Sequence, residues 1–164
     1  MSYYLREIDF AAIGASDTEP VKQPDHKKLV ARCLSDDVND CDFLQQIVEL
    51  KSPSSIRAAL SALHKLVNVA ASGQPFTDFY DKKQCHEIHS FEYKHKAYKI
   101  WRIRKSDLRI TFYYAEGKAV LLTHVFEKHR DKLTSGQEAM LETEVKAYID
   151  ALEVGAVEMI ESEI

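Results

Sequence analysis

The feature that most constrains this chain is a change of hydrophobic period at Gln74-Pro75. Before it, apolar residues recur every three or four positions, as on one face of a helix; beyond it they alternate with polar ones, as on a half-buried strand. A chain patterned in this order is expected to be α+β, with a helical hairpin packed on a small antiparallel sheet and a C-terminal helix closing the core.

The helical part divides at its punctuation. Leu29, Val30, Cys33 and Leu34 predict a short helix over Asp25 to Leu34, and Phe43, Leu44, Ile47 and Val48 a second over Asp42 to Leu50. Ser52-Pro53 then supplies a capping oxygen and a first-turn residue whose missing N–H does no harm. Ile56, Ala59, Leu60, Leu63 and Leu66 follow on one face, and Gly73 suits the helix end. Residues 1 to 25 show little periodicity, and the two prolines between Ser16 and Pro24 mark a loop or arm.

In the alternating part, Tyr98 to Arg104, Leu108 to Tyr114 and Ala119 to Phe126 read as strands, with Cys85 to Phe91 as a fourth. Two-residue turns at Ser106-Asp107 and Glu116-Gly117 would set Arg104 opposite Arg109, and Arg109 opposite His124. The same register divides the sheet. One face carries Trp101, Ile103, Ile110, Phe112, Leu121 and Val125; the other carries Arg102, Arg104, Arg109, Tyr113 and His124. Ser135, with Glu138 three residues on, forms a capping box before a helix with Leu141, Val145, Tyr148, Ile149 and Leu152 inward. Phe43, Ile47, Leu60 and Leu63 complete the expected core.

At 164 residues, 45% hydrophobic and 29% charged, the chain has the material for one core. No apolar run approaches the roughly 20 residues that span a bilayer. Arg6, Glu7 and Asp9 sit where a signal peptide needs an apolar stretch, so the expected compartment is the cytoplasm. Cys33, Cys41 and Cys85 are odd in number and irregularly spaced, which predicts buried thiols rather than a disulfide framework. The net charge of −4 conceals an asymmetry: residues 82 to 132 hold 13 Lys plus Arg against 6 Asp plus Glu, while residues 133 to 164 hold one against eight. Five of the seven histidines share the basic segment. A polyanion is attracted there, although charged strands that merely face water would produce the same count.

The runs Ile100-Trp101-Arg102-Ile103-Arg104, Leu108 to Tyr114, and Ala119 to His129 resemble the phage-derived HigB-like branch of the RelE/ParE toxin superfamily. In that family a helical hairpin precedes an antiparallel sheet, and successive strands carry an aromatic-acid-aliphatic-Arg motif, an Arg-Ile-aliphatic-aromatic motif, and Val-Leu-Leu-x-His-x-Phe running into two lysines. The resemblance covers about residues 42 to 150. It implies a toxin domain over 42–152, preceded by a partly helical extension over 1–41 and followed by an acidic tail over 153–164. Position by position, Arg104, Arg109, His124 and Lys128 match family residues. Arg102 stands where the family has glutamate, unless Glu87 is the equivalent, and His129 replaces the second lysine. The threonine-glutamine-lysine-threonine-proline run that usually follows is replaced by Arg130 to Thr134.

What the resemblance implies is a metal-independent messenger RNA endoribonuclease, acting typically on the ribosome by attack of the ribose 2′-hydroxyl on the adjacent phosphate. That reaction needs a proton acceptor, cations for the pentacoordinate phosphorus and an acid for the leaving oxygen. The candidate catalytic set is Arg104, Arg109, His124, Lys128 and His129, with Arg102, Tyr113 and Arg130 as candidate RNA contacts. No cofactor and no metal are expected. A helix-turn-helix antitoxin is the implied partner, beside messenger RNA and the ribosome, with no membrane. Other readings stay open. The arginines could form internal ion pairs, His124 could make an internal hydrogen bond, and Tyr113 could be a packing residue. Cys85, His86, His89 and His95 cluster, but His86 and His89 fall on opposite faces of a strand and no fourth ligand has a recognised zinc spacing. A non-catalytic binder on the same fold, gyrase-directed or holding another protein, is the remaining class. The acidic tail could fold back over the basic face or stay an exposed helix end.

Overall fold

Helical chemistry is realised where the sequence placed its strongest punctuation. In the computed structural model, which describes residues 2–127 and 132–161, helix α1 covers Asp42–Val48 and α2 covers Pro53–Ser72. Ser52 Oγ accepts from the Ser55 N–H at 3.1 Å, and Pro53 is the first helical residue. The α2 helix stops at Gly73, whose φ of +72° is one that L side chains adopt only under strain. A Cβ there would also lie 3.0 Å from the backbone carbonyl carbon of Asp25.

Seven strands form one mixed sheet: β1 (Tyr3–Glu7), β2 (Lys28–Cys33), β3 (Cys85–Tyr93), β4 (Lys96–Lys105), β5 (Leu108–Tyr114), β6 (Ala119–Glu127) and β7 (Val157–Met159). Their spatial order is β3-β4-β5-β6-β2-β1-β7. Strands β3 to β6 are an antiparallel meander, β2 joins β6 in parallel, β1 is antiparallel to β2, and β7 is parallel to β1. The small antiparallel sheet of the sequence reading is therefore the larger part of a mixed one.

The first difference is at Lys28–Cys33, expected as helix and found as a strand. Leu29, Val30, Ala31 and Cys33 are all buried. A central strand covered on both faces reads as a continuous apolar run, and here that run mimics helical spacing. The N-terminal extension thus supplies two strands, and the tail supplies β7 at the far edge of the sheet.

The second difference is the register of β6. Arg104 does pair with Arg109 across the Ser106-Asp107 turn. The next turn, however, holds three residues, Glu116 to Lys118, closed by the Ala115 N–H on Ala119 O at 2.8 Å, with Gly117 and Lys118 at positive φ. A bulge on β6 opposite Thr111 adds another residue. Together they put Thr111, not Arg109, opposite His124, and pair Arg109 with Phe126.

The third difference follows from the second. Both faces of the sheet are apolar. One packs Ile103, Ile110, Phe112, Val120, Leu122 and Val125 against α1 and α2. The other packs Ile100, Tyr113, Leu121 and Phe126 against Leu141, Val145, Tyr148 and Ile149 of α3 (Ser135–Glu153). Leu121 thereby lies on the face assigned to the arginines, because the bulge reverses the alternation within β6. Trp101 is partly buried on the α2 face, as expected. The cap of α3 sits one residue earlier than the sequence reading placed it. Thr134 Oγ1 accepts from the Gln137 N–H at 3.1 Å and Gln137 Oε1 accepts from the Thr134 N–H at 2.9 Å. Leu152, expected inward, is 41% exposed at the end of that helix.

Candidate functional site

Two neighbouring features concentrate the chemistry: a basic end of the meander and a cavity where β2 and β6 part.

At the basic end, Arg104 is exposed and faces Arg109 across the β4–β5 ladder. Arg109 is buried, and its Nη1 donates to Ser106 O at 3.0 Å and Leu108 O at 2.9 Å, so it braces the turn that it follows. Arg102 is also buried and donates from Nη1 to Lys83 O at 2.8 Å, tying β4 to the approach to β3. Tyr113 packs between Tyr98 and Tyr148, with ring centroids at 6.0 and 6.3 Å. Lys128, His129 and Arg130 lie outside the described residues.

His124 sits in the β6 bulge. Its ring lies 4.2 Å from that of Phe126, the residue paired with Arg109. Its Nδ1 is buried with no hydrogen-bond partner among the described residues. Burial lowers its pKa, opposed by the charge of Asp42, so the neutral imidazole is the favoured form. The bulge is held from β5: Thr111 Oγ1 donates to His124 O at 3.3 Å and shares a hydrogen bond with Thr123 Oγ1 at 2.7 Å.

The cavity arises because β2 and β6 pair only as far as Ala31 and Leu122. Past that point β2 stays paired only with β1 through Cys33 before the loop to Cys41, and α1 starts in the gap. Gln46 of α1 replaces the lost strand: its Oε1 accepts from the Val125 N–H at 2.9 Å, while its Nε2 donates to Asp42 Oδ2 at 3.0 Å. On the α3 side remains a cavity of about 70 Å³, lined by Tyr3, Arg32, Asp42, Thr123 and Glu144 among others. The Arg32 guanidinium lies 4.3 Å from the Tyr3 ring centroid. Glu144 Oε2 is buried with no hydrogen-bond partner among the described residues. Burial first, and then the charge of Asp42, push its carboxyl up to about 8 against the pull of Arg32. Burial also raises the Tyr3 phenol to about 12.

The region therefore holds an exposed guanidinium, a neutral imidazole and a carboxyl that keeps its proton near neutral pH. Opposite shifts of this kind separate bases from acids at functional sites. None of Tyr3, Arg32, Asp42, Thr123 and Glu144 was singled out from sequence as a site residue, because they come from five elements spread along the chain. One signal was present: Glu144 stands three residues after Leu141 and four before Tyr148, a charged group on the apolar stripe of α3.

Two other histidines of the basic segment, His89 and His86, are engaged elsewhere. His89 Nδ1 lies 2.9 Å from Glu138 Oε2 and its Nε2 2.7 Å from Glu142 Oε2, an arrangement that joins β3 to α3. His86 Nδ1 lies 2.8 Å from Lys82 O. Among the described residues no helix is long and apolar enough to cross a membrane. Compared with family models, curated proteins and solved structures, the chain matches none.

Proposed function

We propose that this chain is the toxin of a toxin–antitoxin pair, acting as a metal-independent messenger RNA endoribonuclease of RelE/HigB-like type. The observation that carries the reading is the ladder Arg104–Arg109–Phe126, in which two guanidiniums stand on neighbouring strands and the His124 ring rests on the third residue. Like charges directly opposite each other are unfavourable in a sheet; a carboxylate partner or a bound phosphate offsets them, and the exposed Arg104 is the one open to a phosphate. The order of elements is also in keeping with it, since a helical pair precedes an antiparallel meander whose last strand carries the histidine.

In this reading His124, neutral at working pH, accepts the 2′-hydroxyl proton as the 2′-oxygen attacks phosphorus. Arg104 stabilises the charge that develops on the phosphoryl oxygens, and the buried Arg109 contributes fixed positive potential while holding the turn. The 5′-oxygen leaves with a proton, leaving a 2′,3′-cyclic phosphate. Lys128 and His129 remain the sequence candidates for that donor, with Arg130 as an RNA contact. Arg102 and Tyr113 act by holding β4 and α3 in place. An acidic antitoxin segment would cover Arg104, and messenger RNA on the ribosome is the substrate.

Strand β7 of the tail does not cover Arg109. Strand β7 lies four strand positions from β5, about 19 Å at the ~4.8 Å spacing of paired strands, so residues 157–159 stand well away from Arg109. Induced expression tests the function. Growth arrest with new messenger RNA ends, relieved by Arg104→Ala and by His124→Ala in variants that keep the wild-type melting transition, is the expected result. Arrest with intact messenger RNA and blocked supercoiling would replace it with the gyrase-directed reading. Absence of any toxicity would replace it with a protein-binding role.

A further inference from the structure

We propose that the cavity between β1, β2, α1 and α3 is a binding site for a singly charged nitrogen cation, an alkylammonium or guanidinium group, seated between the carboxyl groups of Asp42 and Glu144. This goes beyond the ribonuclease reading and does not depend on it.

The lining dictates the ligand. Glu144 Oε2 is a buried acceptor with no partner among the described residues, and Asp42 Oδ2 meets one donor, Gln46 Nε2. Two carboxyl groups from different elements thus face one small space, with Arg32 as the cation beside them. A buried polar group left unpaired is unfavourable, so a donor that fills the space is favoured. A group with N–H donors on more than one side serves both acids, as an ammonium or a guanidinium does.

Charge balance gives the sign. With Asp42 ionised and Arg32 protonated the site is even, and the Coulombic influence of Asp42 helps keep the proton on Glu144. An entering cation allows Glu144 to release that proton, which leaves two carboxylates against two cations. An anionic ligand would meet Asp42 without such compensation. A divalent metal takes six or more oxygen ligands in its usual sites, and no group of three or more His, Cys, Asp or Glu among the described residues is placed to hold one. An apolar guest would leave Oε2 unpaired.

Size and access agree. The cavity is small, about 70 Å³, and such a space suits a compact head group rather than a nucleotide. Leu34, on its rim, is 60% exposed, and Arg32 is exposed as well. The head group could belong to a free amine or to a lysine or arginine of another chain.

Heteronuclear NMR of the whole chain distinguishes these. Methylguanidinium chloride is titrated against an equal series of sodium chloride, and a capped Gly-Arg-Gly peptide forms a second series. The expected result is a saturable shift confined to Tyr3, Thr123 and Glu144 signals, with the Glu144 side-chain carboxyl moving to its ionised position, and at least tenfold weaker binding in Glu144→Gln. Asp42→Asn serves as the second variant if Glu144→Gln does not fold. Tenfold tighter binding of the peptide than of methylguanidinium supports the site with a protein side chain as its source; equal or weaker binding supports it with a free small cation. Shifts no larger than those from sodium chloride, or binding unchanged in both variants, overturn the proposal.

Discussion

Replacing Glu144 by glutamine should make the protein more stable in base and leave it nearly unchanged in acid. The wild-type carboxyl is raised from its ordinary 4.5 to about 8, by burial first and by Asp42 second. A folded state with the higher pKa binds its proton more tightly than the unfolded chain. Its contribution is therefore fully present below pH 4.5 and is lost as the pH rises through 8. Each tenfold change in acid constant is worth about 1.4 kcal/mol, so the loss between pH 5 and pH 8 is on the order of 3 kcal/mol. That is a large part of the roughly 5–15 kcal/mol that holds a domain together. Glutamine keeps the shape and cannot titrate. Subtracting the two stabilities at each pH also cancels groups that both proteins share, including His124, whose lowered pKa acts in the opposite sense by weakening the fold in acid. The groups around Glu144 are Asp42, Arg32 and Tyr3. Urea melts at pH 5, 6.5 and 8 measure the difference. A difference that stays constant across the three would refute the argument, because it would mean that Glu144 titrates alike in the folded and unfolded chains.

Gln46→Leu should cost about 1–3 kcal/mol in urea melts, because the Val125 N–H loses its acceptor and Asp42 its donor. Thr134→Ala should cost about 1 kcal/mol by removing the hydroxyl that accepts from the Gln137 N–H at the start of α3, and amide exchange should show the loss in the first turn of that helix before the sheet. Phe112→Ala, at a fully buried position in contact with Phe76 and Tyr114, should cost about 3–5 kcal/mol by calorimetry.

Elements whose signals are local were legible in the residues. Ser52-Pro53 and Gly73 delimit α2 through capping chemistry that operates within one turn. Alternation over Leu108 to Tyr114 matches β5 residue for residue, and the Ser106-Asp107 turn sets Arg104 against Arg109. The candidate site was legible only in part. Arg104 and His124 could be singled out, but their relation hung on a turn whose length is not encoded by its glycine alone. Three residues in that turn and one bulge in β6 displaced the partner of Arg109 from His124 to Phe126.

What the sequence determined by itself is therefore the content of particular stretches: a helical pair before Gly73, alternating strands beyond Gln74-Pro75, a basic middle and acidic flanks. The tertiary structure decided what covers each face and each edge. Lys28–Cys33 became strand rather than helix because both faces of the sheet are roofed, so an apolar run needs no alternation. Arg102 and Arg109 were drawn inward because backbone carbonyls at the strand ends needed donors. Tyr3, Arg32, Asp42 and Glu144 met around one cavity because β2 and β6 part after Leu122 and α1 fills only one side of the gap. Periodicity encodes which way a side chain points from its own element, and it carries no information about which distant element will stand opposite.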